Sequence, residues 1–448
     1  MNILLISPNT LTEPYPVYPI GLDYVAGSLP AEHQVRIADM NTVSLEALAE
    51  ILHSFSPEII GLSCRNIENT GAGDSRNCIH EYRKLVVWLR ERSKAVLVCG
   101  GSGFTIMPER IMAALGVDYG IIGEGERFAL VVDALRSGRD PTSVPGVITS
   151  SLSAGTPEPW TGKQVRTFRT DVAGLEYYLR KGGMLNLQSK RGCSFACIYC
   201  PYPHIEGKKH RLVHPAEVAA TALALQKAGA KYFFFTDSAI NSDIEHSLAV
   251  AEALRSAGVA IPWGGFFAPV RMPADYFAIL ADAGLRHVEF GTESMSVAML
   301  KTYRKPFSVD LVFAAHRQAR SAGLHVAHYI LMGGPGETPA TLVESLDRLE
   351  QLDRTVLFFF IGIRIYPRTA LYDIALREGK ITADTDMLEP VYYETDAMDR
   401  GSIQALVTAR AGRRSNWVIG SGGAAGAAMI SKLHDRGFVG PLWEHLAR

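Results

Sequence analysis

The sequence predicts an α/β protein built from two successive parts, an open doubly wound parallel sheet followed by a partial barrel of parallel strands. Short apolar runs alternate with longer amphipathic runs over residues 1–135, and the alternation returns from about residue 185 to residue 365. This alternation is typical of parallel strands covered by helices. A chain of 448 residues also exceeds one ordinary domain, so two domains and a tail are expected.

Composition and charge argue against several classes of protein. The chain has 45 basic and 46 acidic residues, so its formal net charge of -1 gives no support for nucleic-acid binding. Hydrophobic residues make up 47% and charged residues 20%, which is typical of a well-packed globular protein. No apolar run approaches the roughly 20 residues that span a bilayer, so no stable membrane insertion is expected. Residues 1–8 are interpreted as a buried strand rather than a signal peptide, because they lack a basic segment and a cleavage site.

Five strands and four helices are predicted in the first part. The strands cover residues 2–6, 34–38, 58–63, 94–99 and 119–122. The helices cover residues 45–55, 79–92, 108–115 and 127–137. Ligands of doubly wound sheets bind beyond the carboxyl ends of the strands, so the loops after the strands are the candidate binding site.

Those loops combine prolines, glycines and a few polar side chains. The first loop is rich in proline and leads to Gly21, and the third strand leads into Arg65 and Asn66. The fourth and fifth strands end in Gly100-Gly101 and in Gly123-Glu124-Gly125-Glu126. Glycine allows a ligand to approach the backbone closely, although a single glycine is also the ordinary way to leave a strand.

Taken together and in order, these loops resemble the cobalamin-binding domain that precedes many radical S-adenosylmethionine (SAM) enzymes. The proline-rich loop followed by Gly-Leu-x-Tyr at residues 21–24 is part of that resemblance. It implies cobalamin across the carboxyl edge of the sheet, with its nucleotide tail threaded into the domain. The implied contacts are Asn9, Thr10, Gly21, Arg65, Asn66, Gly100, Gly101, Gly123, Glu124, Gly125 and Glu126.

The resemblance departs from cobalamin enzymes in which a histidine of an Asp-x-His-x-x-Gly loop binds cobalt. The loop after the first strand contains no histidine, and the nearest one is His33. A histidine ligand to cobalt is therefore not expected, and Arg65 or Asn66 is the candidate to lie beneath the corrin ring. The alternative is that Arg65 pairs with a cobalamin amide or with a neighbouring carboxylate.

Six cysteines fall into two groups. Cys64, Cys78 and Cys99 are spread over three elements and are interpreted as buried structural residues. A second iron–sulfur cluster, as in methylthiotransferases, is the alternative for them. The other three crowd into eight residues, which indicates a metal site in a reducing compartment, so the cytoplasm is the expected location.

The crowded cysteines are Cys193, Cys197 and Cys200, which follow an apolar strand and a glycine. Three thiolates at this spacing suit a [4Fe–4S] cubane with one iron left open. Structural zinc is the alternative, but it needs a fourth ligand, for which only His204 and His210 are near in the sequence. The Cys-x-x-x-Cys-x-x-Cys spacing, with an aromatic residue before the last cysteine, resembles the radical SAM signature, in which SAM chelates the open iron.

Further strands and helices alternate after the cysteines. Strands are predicted at residues 231–236, 263–268, 287–291, 325–331 and 358–365, and helices at 215–229, 243–257, 273–283, 308–322 and 338–352. With the strand before the cysteines they form a partial (β/α)6 barrel of the TIM type, whose active site lies at the carboxyl ends of the strands. The radical SAM resemblance implies SAM contacts at Tyr199, Asp237, Ser238, Glu293, Ser294, Arg364 and Tyr366.

The predicted organisation has four parts. Residues 1–140 form a Rossmann-like cobalamin-binding domain, residues 141–180 a linker with an edge strand at 147–150, residues 181–380 the radical SAM barrel, and residues 381–448 a small helical cap over the barrel mouth. Aromatic residues are frequent along the barrel strands. By strand alternation about half of them face the outer helices, and the rest face the interior.

The combined resemblance implies a [4Fe–4S] cluster, SAM and cobalamin as cofactors. It implies an enzyme that methylates an unactivated carbon of an apolar substrate, lipid-like or a natural product, through a 5′-deoxyadenosyl radical and methylcobalamin. Cyclisation or ring rearrangement without methyl transfer is one alternative, and a non-catalytic cobalamin carrier or sensor is another. An electron donor such as flavodoxin or ferredoxin is the expected protein partner, and no residue is assigned a catalytic role.

Overall fold

The computed structural model describes residues 1–69, 76–155, 157–162, 164–168 and 174–446. The strands are β1 (Asn2–Ser7), β2 (Gln34–Asp39), β3 (Ile59–Ser63), β4 (Val96–Gly100), β5 (Tyr119–Ile121), β6 (Val147–Ile148), β7 (Met184–Leu187), β8 (Lys190–Arg191), β9 (Arg211–Leu212), β10 (Tyr232–Phe235), β11 (Trp263–Phe267), β12 (Leu285–Glu293), β13 (His325–Met332), β14 (Thr355–Ile361), β15 (Ile363–Arg364), β16 (Tyr392–Tyr393) and β17 (Trp417–Ile419). The helices are α1 (Ile20–Ser28), α2 (Leu45–Phe55), α3 (Cys78–Arg92), α4 (Ser102–Ile106), α5 (Pro108–Leu115), α6 (Phe128–Arg136), α7 (Leu175–Arg180), α8 (Tyr202–Ile205), α9 (Pro215–Lys227), α10 (Ile244–Ser256), α11 (Tyr276–Asp282), α12 (Val297–Thr302), α13 (Val309–Ser321), α14 (Pro339–Leu349), α15 (Ala370–Arg377), α16 (Arg400–Ala411) and α17 (Gly423–Asp435).

The first sheet has the strand order β2-β1-β3-β4-β5-β6. The first five strands are parallel, and β6 pairs antiparallel with β5 at the edge. The order reverses between β1 and β3, and this switch point is where doubly wound sheets bind ligands. All five predicted strands and the doubly wound fold are confirmed. Helix α1 was not expected, because the prolines before Ile20 favour a continuous loop.

The second sheet has seven parallel strands in the order β17-β14-β13-β12-β11-β10-β7. The six predicted barrel strands are present within it. The seventh strand, β17, has only three residues and is flanked by polar residues and glycines, so its sequence carries no clear strand pattern.

The two faces of the barrel strands differ as strand alternation requires. Phe233, Phe235, Trp263 and Phe267 pack outward into the core shared with the surrounding helices. Their neighbours in β10 and β11, Tyr232, Phe234 and Phe266, face the barrel interior, which we call the lumen. The prediction that about half of the aromatic side chains face the outer helices is therefore confirmed for these two strands.

The C-terminal segment, residues 440–446, lies against the starts of the barrel strands, at the end opposite the mouth. The Gly440 N–H donates to the Gly182 carbonyl at 3.0 Å, just before β7 begins. Trp443 packs against Ala327, Val356 and Phe358, and its indole N–H donates to Glu289 at 3.0 Å. The segment forms a floor beneath the lumen. The prediction of a cap over the mouth is therefore wrong for residues 440–446, because the strand starts offer Trp443 an apolar surface and a buried acceptor. Thr395, also within the predicted cap, does lie at the mouth, where its N–H donates to the Gly333 carbonyl at 2.9 Å.

The predicted linker, residues 141–180, contains β6 and α7, and residues 156, 163 and 169–173 lie outside the described part of the chain. The predicted edge strand at 147–150 corresponds to β6 and ends two residues earlier than predicted. The domain boundaries at residues 140, 180 and 380 stay a prediction. Across the described residues, the helices are all too short or too polar to cross a membrane.

Candidate functional site

A cavity of about 300 Å³ lies at the switch point of the first sheet and extends toward the barrel. Its walls come from the loops after β1, β3, β4 and β5, from α1, and from the segment around the cysteines, including Gln188, Arg191 and Glu206. Eight of the eleven residues predicted to contact cobalamin line this cavity: Gly21, Arg65, Gly100, Gly101, Gly123, Glu124, Gly125 and Glu126. Asn9, Thr10 and Asn66 are not among the lining residues.

Two glycines of the cavity wall occupy positions that a side chain would disturb. Gly101 has a φ of +106°, and a Cβ atom there would lie 2.9 Å from the Cys64 carbonyl oxygen. A Cβ on Gly125 would lie 2.6 Å from a methyl group of Val25. The close packing of these loops against neighbouring residues explains the glycines.

Arg65 is held at the end of β3 by its neighbours. Its Nε donates to Asn66 Oδ1 at 2.8 Å, and its Nη1 donates to the Val17 carbonyl at 3.3 Å. Burial lowers the pKa of Arg65. Asn66 therefore supports Arg65 rather than facing the cavity. Thr10 accepts a hydrogen bond from Arg76 at 3.2 Å.

The side chains of Glu124 and Glu126 are engaged by arginines near the cysteine loop. Glu126 lies 2.7 Å from Arg191, and Glu124 pairs with Arg211 and with Arg127. Their carboxylates thus connect the two parts of the protein, and only their backbone and the rest of their side chains are free to face a ligand. This use of the acidic pair was not anticipated, since Arg191 and Arg211 are distant from it in the sequence.

The three cysteines lie on the loop between β8 and β9. Cys193 is buried, and Cys197 and Cys200 are half-buried. The pKa of Cys200 is raised to about 12, mainly by burial and to a lesser extent by the two other thiols. Burial also raises the pKa of Cys197, which nearby Lys305 opposes. The thiols are thus near one another in a site with little water.

A cubane fits this arrangement better than a single ion. Among the described residues, no three His, Cys, Asp or Glu side chains converge as one metal ion requires. In a cubane each thiolate binds a different iron, so the three sulfurs need not meet at one point. His210 is already hydrogen-bonded to Ser242 at 3.2 Å. The zinc alternative therefore has no support from the geometry.

Lys305, Glu293 and Tyr199 form a compact polar group beside the cysteines. The Tyr199 hydroxyl donates to Glu293 Oε1 at 2.8 Å, and Lys305 Nζ lies 3.2 Å from the same oxygen. Glu293 has a φ of +64°, an unusual backbone conformation for a residue with a side chain. The pKa of Lys305 is raised above its usual value. Burial lowers this pKa, but the negative charges of Glu293, Cys197 and Cys200 raise it by more. Lys305 has no sequence signal that places it here.

Asp237, Ser238 and Ser294 are placed near the same rim with their polar atoms already engaged. Asp237 accepts from the Ser189 backbone N–H at 2.8 Å, and its other oxygen lies 3.1 Å from Lys190 Nζ. Ser238 donates to the Gly192 carbonyl at 3.3 Å. Ser294 accepts from the backbone N–H two residues later at 3.1 Å. Contacts of these three with SAM stay a prediction.

Arg364 and Tyr366 reach across to the first sheet. Arg364 Nε donates to both oxygens of Glu68, at 2.6 and 2.8 Å, and the Tyr366 hydroxyl donates to Glu68 at 3.0 Å. Burial raises the pKa of Glu68 despite the guanidinium beside it. The structure thus gives both predicted SAM contacts a role in joining the two parts of the chain.

The remaining cysteines are structural in their surroundings. Cys64, Cys78 and Cys99 are all buried, and the Cys64 and Cys99 sulfurs lie 3.3 Å apart. Burial raises the pKa of the Cys78 thiol to about 11, as expected for a buried cysteine. These features agree with core packing rather than a second cluster.

A glycine-lined cavity on a doubly wound sheet, facing a three-cysteine loop at the mouth of a parallel barrel, defines a two-cofactor α/β enzyme. The B12-binding domain model matches residues 6–132, and the radical SAM superfamily model matches residues 187–349. The chain thus combines a B12-binding domain with a radical SAM domain, which use cobalamin, a [4Fe–4S] cluster and SAM, and it is homologous to cobalamin-dependent radical SAM methyltransferases.

Relatives of known name agree with this family. The tryptophan 2-C-methyltransferase of Streptomyces laurentii is 25% identical, covering 83% of this chain and 74% of its own. The cytidylyl-2-hydroxyethylphosphonate methyltransferase of Streptomyces wedmorensis is 22% identical, covering 88% and 85%. The same fold is found in the methyltransferase TsrM from Kitasatospora setae, whose structure has cobalamin and a [4Fe–4S] cluster bound. The TM-score is 0.86 and the sequence identity 22%, and the match covers 100% of this chain and 97% of that one.

Proposed function

We propose that this protein transfers a methyl group to an unactivated carbon of an apolar substrate that binds in the barrel lumen. The observation that carries the proposal is a continuous set of aromatic rings on the inner face of the barrel. When bound, the cluster, SAM and cobalamin supply a 5′-deoxyadenosyl radical and a transferable methyl group. The protein's own task is to hold these groups and the substrate in line and to exclude water.

The lumen rings lie on adjacent strands and contact one another. Phe266 is 39% exposed although it lies inside the barrel, and its ring centroid is 5.2 Å from that of Phe234 and 6.1 Å from that of Tyr329. Tyr329 stacks on Phe358 at 5.2 Å and on Phe360 at 6.1 Å. An accessible aromatic surface within a concave site favours an apolar or planar ligand.

Polar groups at the bottom of the lumen are already paired. Glu289 accepts a hydrogen bond from Tyr329 at 2.7 Å and from Trp443 at 3.0 Å. Tyr15, from the proline-rich loop of the first part, packs against Met184 and Tyr232. Burial raises the pKa of Glu289, so the carboxyl is more readily neutral there than in water. The floor is therefore consistent with an apolar substrate.

The relatives do not decide the substrate. One is named for tryptophan and another for a cytidylyl phosphonate, so members of this family differ widely in polarity. The choice of an apolar substrate for this chain rests on the lumen rings. A cytoplasmic location and an electron donor such as flavodoxin or ferredoxin belong to the same proposal.

The cofactor contacts follow from the site. We assign the cluster to Cys193, Cys197 and Cys200, since their loop faces the barrel mouth. Glu293 and Lys305 present a carboxylate and an ammonium group beside that loop, which suits the charged amino-acid part of SAM. Cobalamin is assigned to the cavity at the switch point, where Arg65 is a candidate to contact the corrin ring.

Anaerobic reconstitution tests the chemistry. The protein is loaded with iron, sulfide, cobalamin and SAM and given apolar ring compounds and polar nucleotide conjugates as candidate substrates. Methylated product together with S-adenosylhomocysteine and 5′-deoxyadenosine supports the proposal. Deoxyadenosine with a rearranged, unmethylated product would instead establish the rearrangement alternative. Methylation of the polar conjugates alone would contradict the apolar assignment.

Two triple variants test the cluster assignment. Replacing Cys193, Cys197 and Cys200 by alanine should remove the iron, about four atoms per chain, and all SAM cleavage. The matched control replaces Cys64, Cys78 and Cys99 by alanine and should keep both. Loss of iron only in the control variant would contradict the assignment. A wild-type protein that binds cobalamin but takes up no iron and cleaves no SAM would favour a carrier or sensor.

A further inference from the structure

The proline-rich loop after β1 sends one aromatic side chain, that of Tyr15, into the barrel. The Tyr15 residue is half-buried and packs against Met184 of β7 and against Tyr232 and Phe234 of β10. Tyr232 and Phe234 face the lumen. Tyr15 therefore belongs to the wall of the lumen, although it comes from the first part of the chain.

Tyr15 extends inward rather than covering the strands from outside. Burial and the nearby charge of Glu289 raise the pKa of Tyr15. Burial, Glu289 and Tyr15 in turn raise the pKa values of Tyr232 and Tyr329. A charge shifts a pKa appreciably only from nearby. The Tyr15 hydroxyl therefore lies among side chains of three strands, β10, β12 and β13.

The opposite wall of the lumen is a separate group of rings. The stacked rings of β13 and β14 pack with Trp443 of the floor. Phe266 lies between this wall and the one around Tyr15, and it is 39% exposed. The lumen is thus closed below by Trp443 and on the β7 side by Tyr15, with accessible apolar surface between them.

The backbone next to Tyr15 is anchored to the first part of the protein. Val17 lines the cobalamin cavity, and its carbonyl accepts a hydrogen bond from Arg65 at 3.3 Å. The Tyr18 hydroxyl donates to Asp23 at 2.8 Å. These anchors lie two and three residues after Tyr15. They favour a fixed wall over a side chain that a ligand displaces.

We propose that Tyr15 is a specificity-determining residue, the end wall of a closed pocket that admits compact fused rings and rejects long alkyl chains. This inference rests on the proposed function, since it requires an apolar substrate in the lumen. A pocket closed at its floor and on one side has no exit for a chain, whereas flat rings can stack on the exposed face of Phe266. A ligand longer by one phenyl group would collide with the Tyr15 ring, and overpacking of this kind is unfavourable.

The test measures the binding of three probes that each carry one hydroxyl group, by equilibrium dialysis. The protein is reconstituted with iron, sulfide, cobalamin and SAM, and no reductant is added, so that no turnover occurs. The probes are 2-naphthol, its longer relative 6-phenyl-2-naphthol, and 1-decanol. The wild type should bind 2-naphthol about tenfold more tightly than either of the others. Tyr15→Ala should bind 6-phenyl-2-naphthol about tenfold more tightly than the wild type does, because the added phenyl group fills the space that the tyrosine ring leaves.

A matched control is Tyr177→Ala. Tyr177 is half-buried as well, but it lies on α7 against Tyr178, with ring centroids 5.3 Å apart, and packs on the core outside the barrel. This variant should bind all three probes within about twofold of the wild type. Equal effects of Tyr15→Ala and Tyr177→Ala would overturn the inference. So would a wild type that binds 6-phenyl-2-naphthol or 1-decanol as tightly as 2-naphthol.

Two further variants keep the test valid if Tyr15→Ala folds poorly. Tyr15→Phe keeps the ring and removes only the hydroxyl, so it should preserve the wild-type order of the probes. Tyr15→Leu shortens the side chain but keeps it apolar, so it should shift the preference toward 6-phenyl-2-naphthol. An unchanged preference in Tyr15→Leu, or an equal shift in Tyr15→Phe, would overturn the inference. A wild-type protein that binds none of the probes would instead refute the apolar substrate of the proposed function.

Discussion

Glu337 offers the clearest prediction of how pH acts on this structure. It closes the glycine turn after β13, where its carboxyl accepts a hydrogen bond from the Gly333 N–H, and it is only 2% exposed. Burial raises the pKa of Glu337 from 4.5 to about 7. A folded-state pKa above the unfolded one means that the folded protein holds its proton more tightly. The protonated Glu337 carboxyl therefore makes its full contribution to the free energy of unfolding below pH 4.5, and this contribution is lost as the pH rises through about 7.

The size of this effect follows from the shift. A difference from 4.5 to about 7 corresponds to about 3 kcal/mol of stability at full ionisation. Glu337→Gln stays neutral and keeps one oxygen for the Gly333 N–H, so it should not lose this stability. The variant should match the wild type near pH 4.5 and become more stable than it above pH 7, by several degrees in melting temperature.

The assay is thermal unfolding of both proteins over a pH series. Other buried carboxyls, such as Glu68 and Glu289, have raised pKa values as well, but they are present in both proteins and cancel in the difference. A difference that does not change between pH 4.5 and pH 8, within about 0.5 kcal/mol, would refute the reasoning.

Three further predictions concern contacts across the fold. Glu68→Ala leaves the buried guanidinium of Arg364 without its carboxylate partner, so calorimetry should show a free energy of unfolding lower by about 3–5 kcal/mol. Adding Arg364→Met should recover part of this loss. If the losses of the two single variants simply add in the double variant, the two residues do not stabilise the fold as a pair. Lys305→Met removes the cation that lies 3.2 Å from Glu293. Equilibrium dialysis should then show the affinity for SAM reduced about tenfold and the affinity for cobalamin unchanged. An unchanged affinity for SAM would exclude Lys305 from the SAM site. Trp443→Phe removes a hydrogen-bond donor to the buried carboxylate beneath the lumen, so thermal unfolding should show a free energy of unfolding lower by about 1–3 kcal/mol. Unchanged stability would show that this hydrogen bond does not hold the floor in place.

The local parts of the site were predictable because their signal is local. Cys193, Cys197 and Cys200 are spaced so that one loop brings them together, whatever the rest of the chain does. The glycine loops after β4 and β5 were identified for the same reason, since the end of a parallel strand defines where its loop lies. Eight of the predicted cobalamin contacts accordingly line one cavity.

Contacts between distant residues were not predictable. Lys305 meets Tyr199 across 106 positions of sequence, and Arg364 meets Glu68 across 296. Nothing in the residues around Lys305 distinguishes it from an exposed lysine. Similarly, Glu124 belongs to a recognisable glycine loop, but its partner Arg211 lies 87 positions away and changes what its carboxylate does.

The amino-acid sequence by itself determined the alternation of strands and helices and the cysteine loop, because each depends on spacing within a short segment. The identity of the cofactors came from the resemblance of these segments to the cobalamin-binding and radical SAM families. Only the tertiary structure decided which charges meet, where the C-terminal segment closes the barrel, and which aromatic rings face the lumen. The physical reason is that a buried charge must find a partner wherever the fold supplies one. Those partners are brought together by the packing of two sheets rather than by neighbouring residues.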